Sequence, residues 1–399
     1  MTDQHFATLR RIPRAIWVLG FVSLLMDVSS ELVHSLLPMF LVAGLGASVT
    51  TIGLIEGVAE ATALIVKVFS GSLSDYLGNR KWLAVAGYAL GAASKPFFAI
   101  AGSAQVVLAA RFADRIGKGI RGAPRDALVA DLAPPHVRGA AFGLRQSLDT
   151  VGAFAGPLLA AGLMLLWAND YRRIFWIALV PGALAVLLLA LGVREPEHAA
   201  APMRVSPLAR ASLRRLSGAY RWVVAIGAVF TLARFSEAFL VLRAMQGGMR
   251  PALVPLVMVA MNAVYMLSAY PFGKLADAVS HLRLLLVGLA VLVLADLVLA
   301  QSGRWPVVLL GVGLWGLHLG MTQGLLAAMV AQAAPADLKG TAFGVFNLVA
   351  GGAMLAASVV AGLLWARIGA AATFYAGAGF CLLAAVLIVA RLRAEQDGR

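Results

Sequence analysis

The sequence has almost no cysteine and little charge. Its 399 residues include one cysteine, Cys381, which excludes an intrachain disulfide and the cysteine-based metal and redox motifs. Charged residues make up 13% of the chain, against roughly 25% in an ordinary globular protein. Hydrophobic residues make up 61%, and the mean hydropathy is +0.87. A soluble protein is therefore excluded, and the composition indicates a polytopic membrane protein.

Several catalytic motifs are also missing. The chain has no H-E-x-x-H zinc motif, no G-x-S-x-G nucleophile elbow and no nucleotide-binding P-loop. An intramembrane hydrolase and an ATP-driven pump are therefore disfavoured. We expect no enzymatic activity and no cofactor.

Twelve apolar stretches are long enough to cross a bilayer, which takes about 20 residues in a helix. The sequence therefore predicts an all-α membrane protein with twelve transmembrane helices. The first stretch is too long for a signal peptide, so we expect it to stay in the membrane. The predicted spans are 14–43, 49–73, 82–101, 104–131, 139–167, 173–192, 221–245, 252–277, 282–301, 305–333, 340–366 and 371–390.

Lysine and arginine are unevenly distributed between the two sides of the predicted membrane. The termini and the even-numbered loops hold 17 of them, whereas the odd-numbered loops hold five. Cytoplasmic segments carry the excess of basic residues in membrane proteins. We therefore expect a multi-pass protein of a bacterial-type inner membrane with both termini in the cytoplasm. The net charge of +14 is then a topology signal, and no nucleic-acid partner is expected.

Two short motifs occur twice along the chain. PPHVRGAAFG at 134–143 returns as PADLKGTAFG at 335–344, and GSLSD at 71–75 returns as GKLAD at 273–277. The nearly equal offsets of 201 and 202 residues predict two six-helix halves of the same topology, related by an axis along the membrane normal.

The repeat divides the chain into three parts. Residues 1–193 form the first six-helix half, 194–220 a cytoplasmic linker and 221–399 the second half. The linker is rich in proline and arginine. It is predicted either as a short basic helix at the membrane interface that tethers the halves or as a solvated connection.

The repeated motifs closely resemble those of the major facilitator superfamily, over the whole chain. GSLSDYLGNRK at 71–81 resembles the family's loop signature after the second helix, and GKLADAVSHLR at 273–283 resembles its second copy. The resemblance implies a monomeric secondary transporter whose loops gate access through breakable charge pairs. The gating residues that it implies in these loops are Gly71, Asp75, Arg80, Lys81, Gly273, Asp277 and Arg283.

The fourth and fifth spans carry two further motifs of the same family. RFADRIGKG at 111–119 resembles the helix-four motif, with Arg111 at its arginine position. Gly152, Gly156 and Pro157 match the G-x-x-x-G-P pattern that this family's antiporters carry in the fifth helix. The match favours efflux in exchange for protons, and ordinary packing of small residues is the alternative.

Charged residues lie on one face of the fourth span. Charge inside a span is costly unless it is paired or faces water, so this face is not expected to meet lipid. It is predicted either as a structural and gating network or as a surface that contacts substrate. The residues concerned are Arg111, Asp114, Arg115, Lys118, Arg121 and Arg125.

Acidic residues recur in the first two spans. Asp27, Glu31 and His34 share one face of the first span, and Glu56 and Glu60 lie in the second. Buried carboxyl groups near like charges exchange protons close to neutral pH, so this set is a candidate for proton coupling. The same five residues could instead ligate a divalent metal such as nickel or cobalt. They could also simply neutralise the basic residues of the fourth span.

Polar residues in the seventh and tenth spans are predicted to line the cavity. A mixed aromatic and polar lining suits an amphipathic organic solute. His318 could alternatively be a hydrogen-bonded packing element. The predicted lining consists of Arg234 and Glu237, expected to pair one helical turn apart, together with Trp315, His318, Thr322 and Gln323.

These features predict a proton-coupled secondary transporter that exports a small organic solute by alternating access around a mid-depth site. Efflux of a divalent metal is the second prediction. A membrane sensor without transport is least favoured, because it would not need so many buried ionisable groups. The expected partners are the solute, protons and membrane lipid.

Overall fold

The computed structural model describes residues 12–77, 79–134, 137–195, 213, 215–301, 303–335 and 338–397. Within these ranges the regular secondary structure is helical, and no strand occurs. Most of the predicted linker falls outside the described residues, so its interfacial helix stays a prediction.

Twelve long helical segments follow one another along the described chain, close to the ranges predicted from the sequence. This agreement confirms the all-α membrane fold. The segments are α1 (Arg14–Gly44), α2 (Val49–Leu77), α3 (Arg80–Ile100), α4 (Ala104–Leu132), α5 (Arg138–Leu166), α6 (Tyr171–Gly192), α7 (Gly218–Gln246), α8 (Leu256–Ala278), α9 (His281–Gln301), α10 (Trp305–Ala333), α11 (Lys339–Arg367) and α12 (Ala370–Asp397).

Ten helices of the described chain are long and apolar enough to cross a membrane, by length and composition. The other two, α2 and α4, are 29 residues long but carry charged residues along their length. Large apolar side chains lie on the outside of the protein, and Leu166 and Leu191 are 70% and 83% exposed. Such exposure fits a protein whose solvent is lipid.

The chain forms two compact units. One is drawn from Met1–Leu36 and Thr62–Ser206, the other from Leu37–Ala61 and Pro207–Arg399. In the first unit α1 packs on α5 and α6, and α3 packs on α4 and α6. In the second unit α7 packs on α11 and α12, and α9 packs on α10 and α12. Each pair recurs six helices later, as the sequence repeat predicts.

Several of the long helices are interrupted. The breaks separate Arg14–His34 from Leu37–Met39 in α1, Arg80–Ala93 from Lys95–Ile100 in α3, Gly218–Ala233 from Ala238–Gln246 in α7, and Trp305–Thr322 from Leu325–Ala333 in α10. Interrupted helices are tolerated where other protein groups satisfy the freed backbone. In α7 the Ser236 N–H donates to Ser358 Oγ of α11 at 3.3 Å.

The break in α7 corrects one detail of the sequence analysis. Arg234 and Glu237 were expected one turn apart on a continuous helix, but residues 234–236 are not helical. Glu237 is the N-cap of the second segment of α7. Its charge and that of Arg234 still lie within electrostatic range of each other.

Candidate functional site

A buried carboxylate, Asp114 of α4, lies at the centre of the charged face. Lys95 Nζ of α3 donates to Asp114 Oδ1 at 2.7 Å and to Ser30 Oγ of α1 at 3.3 Å. Arg111 Nη1 and Arg115 Nε lie 3.9 and 3.8 Å from Asp114 Oδ2. The side chains of these four charged residues are at most 3% exposed. Their charges are therefore held away from solvent and depend on one another.

A second acid, Glu31 of α1, lies near cations of the same face of α4. Its carboxylate lies within electrostatic range of Lys118 and Arg115. His34 Nδ1 lies 3.3 Å from Glu31 Oε2. Unlike Arg115, Lys118 is exposed in the described structure. The charged face of α4 thus holds both buried and exposed side chains.

Arg121 is positioned by the contact between α3 and α4. A Cβ atom at Gly87 would lie 2.8 Å from the Gly117 carbonyl oxygen, so glycine at this point lets the two backbones touch. The Arg121 guanidinium lies 4.8 Å from the centre of the Tyr88 ring. A cation over an aromatic ring is stabilised by the ring quadrupole, which compensates in part for the burial of the charge.

A second group of charges joins α4 to α5. Arg125 Nη1 and Arg145 Nη1 lie 3.8 and 3.5 Å from Asp149 Oδ1. The same arginines contact Asp126 Oδ1, at 3.1 Å from Arg125 Nη2 and 3.9 Å from Arg145 Nε. The Asp149 carboxyl group also lies within electrostatic range of Asp27 in α1. Asp149 therefore pairs with arginines of α4 and α5 and lies near an acid of α1.

The glycines of the G-x-x-x-G-P motif form the contact between α1 and α5. A Cβ atom at Gly152 would lie 2.5 Å from the Leu24 carbonyl oxygen and 3.0 Å from Asp27 Cβ. A Cβ atom at Gly156 would lie 2.9 Å from Glu31 Cβ. Pro157 follows in the same helix and is buried. The motif thus brings α5 against the two acidic residues of α1.

Gly152→Ala is expected to force α1 away from α5, because the new methyl group would overlap the backbone of α1. Overpacking of this kind costs about 1–3 kcal/mol. The melting temperature of the purified protein measures it. Gly162→Ala is the matched control, because a Cβ atom at Gly162 of the same helix meets no atom within 4 Å. Equal melting temperatures for both variants would contradict the packing role of Gly152.

The loop after α2 is held by acids of the first unit. Arg80 Nη1 pairs with Asp131 Oδ2 of α4. The backbone N–H groups of Arg80 and Lys81 donate to Glu195 Oε1 and Oε2 at 2.8 and 2.7 Å. Glu195, just after α6, therefore caps the start of α3.

The other residues of the gating motifs are less constrained. A Cβ atom at Gly71 would lie 3.5 Å from Ala123 Cβ, whereas one at Gly273 meets no atom within 4 Å, and Arg283 is exposed. The side chains of Asp75 and Asp277 lie outside the described part of the structure. Their latch role stays a prediction.

In the second unit the predicted lining of α10 is mostly buried. Trp315, His318 and Thr322 are at most 1% exposed, and Gln323 is exposed at the break in the helix. His318 Nδ1 lies 2.8 Å from the Gly288 carbonyl oxygen. The Trp315 ring lies 5.3 Å from that of Phe235. These contacts favour a packing role for His318 and Trp315.

A family comparison identifies the chain. The model of a family described as Major Facilitator Superfamily matches residues 19–243 and 248–399. The chain belongs to the major facilitator superfamily. An uncharacterised MFS-type transporter of Methanocaldococcus jannaschii is 30% identical over 386 residues, which cover 95% of each protein. The protein is therefore a multi-pass membrane transport protein, of a superfamily whose members are typically not enzymes.

Two further proteins match at lower identity. The quinolone resistance protein NorA of Staphylococcus aureus is 26% identical over 184 residues, 46% of each chain. The crystal structure of the human organic anion transporter MFSD10 matches with a TM-score of 0.64 at 22% identity. The match covers 94% of this chain and 99% of the human chain. That likeness shows the superfamily fold.

Two acids of the predicted proton-coupling set lie in a different unit of this superfamily fold. Glu56 and Glu60 belong to the segment Leu37–Ala61, which clusters with the second half of the chain, whereas Asp27, Glu31 and His34 belong to the first unit. Glu56 is 1% exposed. Among the described residues, no group of three or more histidine, cysteine, aspartate or glutamate side chains could hold a metal ion.

Several charged residues received no role in the sequence analysis, among them Lys95, Asp149, Glu195 and Asp296. Lys95, Asp149 and Glu195 contact predicted site residues or their helices, as described above. Asp296 of α9 is fully buried, and neither carboxyl oxygen has a hydrogen-bond partner among the described residues. The signal available for Lys95, Asp149 and Asp296 was an ionisable residue inside an apolar stretch.

Proposed function

We propose that the protein is a proton-coupled exporter of a small organic solute that works by alternating access. It would lie in a bacterial-type inner membrane with both termini in the cytoplasm. The observation that carries the proposal is the network of ionisable side chains on α1, α3, α4 and α5. Such a network is costly inside a membrane and marks an ion or substrate pathway by default.

The position of the acids supports coupling to protons. Asp27 and Glu31 lie where α5 packs against α1, so a change of charge at either residue acts directly on a helix contact. Transport by alternating access requires helices to move relative to one another. A proton that binds at this contact would therefore be coupled to movement.

The relatives support an organic solute over a metal ion. NorA is named for quinolone resistance and the human protein for organic anion transport, and both names describe those proteins. The predicted metal ligands Asp27, Glu31 and His34 supply two carboxylates and one imidazole. The described residues nevertheless form no cluster with a metal-binding arrangement. Divalent metal efflux is therefore not the preferred function.

Transport by the purified protein in proteoliposomes tests the proposal. A panel of organic anions, cationic drugs, nickel, cobalt and zinc is first screened by thermal shift, and stabilising compounds are then tested for flux. We expect at least one organic compound to accumulate when a pH step is imposed. An ionophore that dissipates the proton gradient should abolish that accumulation. Flux that does not depend on the proton gradient, or flux of metals alone, would contradict the proposal.

A further inference from the structure

Basic residues outnumber acidic residues around the middle of α1, α3 and α4 in the first unit. The described side chains there are those of five cations and three acids, namely Lys95, Arg111, Arg115, Lys118, Arg121, Asp27, Glu31 and Asp114. The arginines and aspartates that join α4 to α5 balance one another and do not change this difference. Within the first unit, this group therefore has more positive than negative charges.

Two of these cations lack a carboxylate partner. The other three cluster around Asp114, as described above. By contrast, neither Lys118 nor Arg121 forms an ion pair with a carboxylate in the part of the chain that the structure describes. Arg121 is 4% exposed, and its Nη1 atom has no hydrogen-bond partner among the described residues. A buried cation without an anion is costly, so an anion that reaches Arg121 is bound favourably.

Lys118 lies where a solute can reach it from water. It is the middle residue of α4 (Ala104–Leu132), and its side chain is exposed. An ammonium group at this depth is costly in lipid, and such groups face the protein interior or a water-filled cavity. The exposed Lys118 therefore faces water inside the protein.

Lys118 and Arg121 are positioned to act on the same group. They lie three residues apart on one face of α4, and side chains with this spacing are neighbours on a helix. Both also lie within electrostatic range of Asp27 in α1. The Arg121 guanidinium is 4.8 Å from the centre of the Tyr88 ring, which restricts its position. A guanidinium binds carboxylate or phosphate oxygens through paired N–H donors, and an ammonium group adds a compact positive charge.

We infer that Lys118 and Arg121 bind an anionic group of the solute, so that the solute is an organic anion with a carboxylate, sulfonate or phosphate group. The inference rests on the proposed function and names its class of solute. A cationic solute would be repelled by these two residues, and a neutral one would leave their charges uncompensated. An anion neutralises them, and a site lined by positive charge also raises the local concentration of anions.

Three naphthalene derivatives test the inference with the purified wild-type protein. At neutral pH naphthoate is an anion, naphthamide is neutral and naphthylmethylamine is a cation, while the ring system stays the same. We expect naphthoate to bind about tenfold more tightly than the other two, or better, because only naphthoate forms charge-assisted hydrogen bonds with these cations. Thermal shift and calorimetric titration measure the affinities. Naphthoate binding no tighter than naphthamide binding would overturn the inference.

Lys118→Met tests whether this preference comes from the proposed site. Because Lys118 is exposed, we expect the variant to fold and to bind naphthoate no better than naphthamide, whereas Lys118→Arg keeps the preference. Lys339→Met is the matched control, since it removes an exposed lysine at the start of α11, and it should bind naphthoate like the wild type. Arg121→Gln should lose the preference as well, and Lys118→Met decides if Arg121→Gln does not fold. An unchanged preference in Lys118→Met would overturn the inference.

Transport separates failure of this inference from failure of the proposed function. Accumulation of cationic drugs alone, driven by a pH step and unchanged in Lys118→Met, would overturn the inference and leave the proposed function intact. Selective naphthoate binding that Lys118→Met abolishes, without pH-dependent flux of any compound, would support the anion site and contradict the proposed function.

Discussion

Replacement of Lys95 by methionine is expected to destabilise the protein by about 3–5 kcal/mol, because it leaves a buried carboxylate without its hydrogen-bond donor. Lys95 Nζ is 2.7 Å from Asp114 Oδ1, and the two side chains are 1% and 3% exposed. Methionine fills a similar volume, so the loss reports on charge rather than on a cavity. The melting temperature and the yield of folded protein measure the effect.

Lys118→Met is the matched control for this change. It removes a charge of the same sign from the same face of α4, but its side chain is exposed, so it leaves no buried partner as dependent on it as Asp114 is on Lys95. We expect little change in melting temperature. The double variant Lys95→Met, Asp114→Leu should recover part of the lost stability, because both buried charges are then absent. Equal destabilisation by Lys95→Met and Lys118→Met would show that Asp114 does not depend on Lys95.

The contrast between these lysines shows what helical periodicity could predict. It placed Arg115 and Lys118 together on the charged face of α4, which is correct for the helix itself. It could not show which side chains of the face are buried against α3 and which are exposed, because that depends on the close contact of Gly87 and Gly117 in two helices. Lys95 received no role for the same reason, since its acid, Asp114, belongs to another helix.

The spans were predictable because lipid imposes a simple rule. Every backbone group inside the membrane must be satisfied within a helix, and the helix must be about 20 apolar residues long. The interruption of α7 was not predictable, because the N–H of Ser236 is satisfied by Ser358, which lies far along the chain. For the same reason, Glu56 and Glu60 were grouped with the acids of α1, although they cluster with the second half.

Asp27→Asn is expected to abolish accumulation of solute against its gradient while sparing exchange, which is the largest functional effect that the site predicts. Asparagine has the same shape but cannot carry a proton, so the imposed pH step no longer drives transport. One pH unit is worth about 1.4 kcal/mol per proton, or about tenfold accumulation for one proton exchanged. The variant should bring solute only to equal concentrations inside and outside.

Glu31→Gln tests whether Asp27 or its neighbour Glu31 in α1 is the proton-coupling residue. Glu31 lies within electrostatic range of His34, Lys118 and Arg115, so we expect it mainly to balance these charges. We expect Glu31→Gln to lower the melting temperature and to keep accumulation driven by the pH step. Asp27→Asn and Glu31→Gln are both measured in proteoliposomes with the same imposed pH step. Exchange of solute across the membrane serves as the control for folded protein. Lost accumulation in Glu31→Gln together with normal accumulation in Asp27→Asn would move the coupling site to Glu31, one turn along α1.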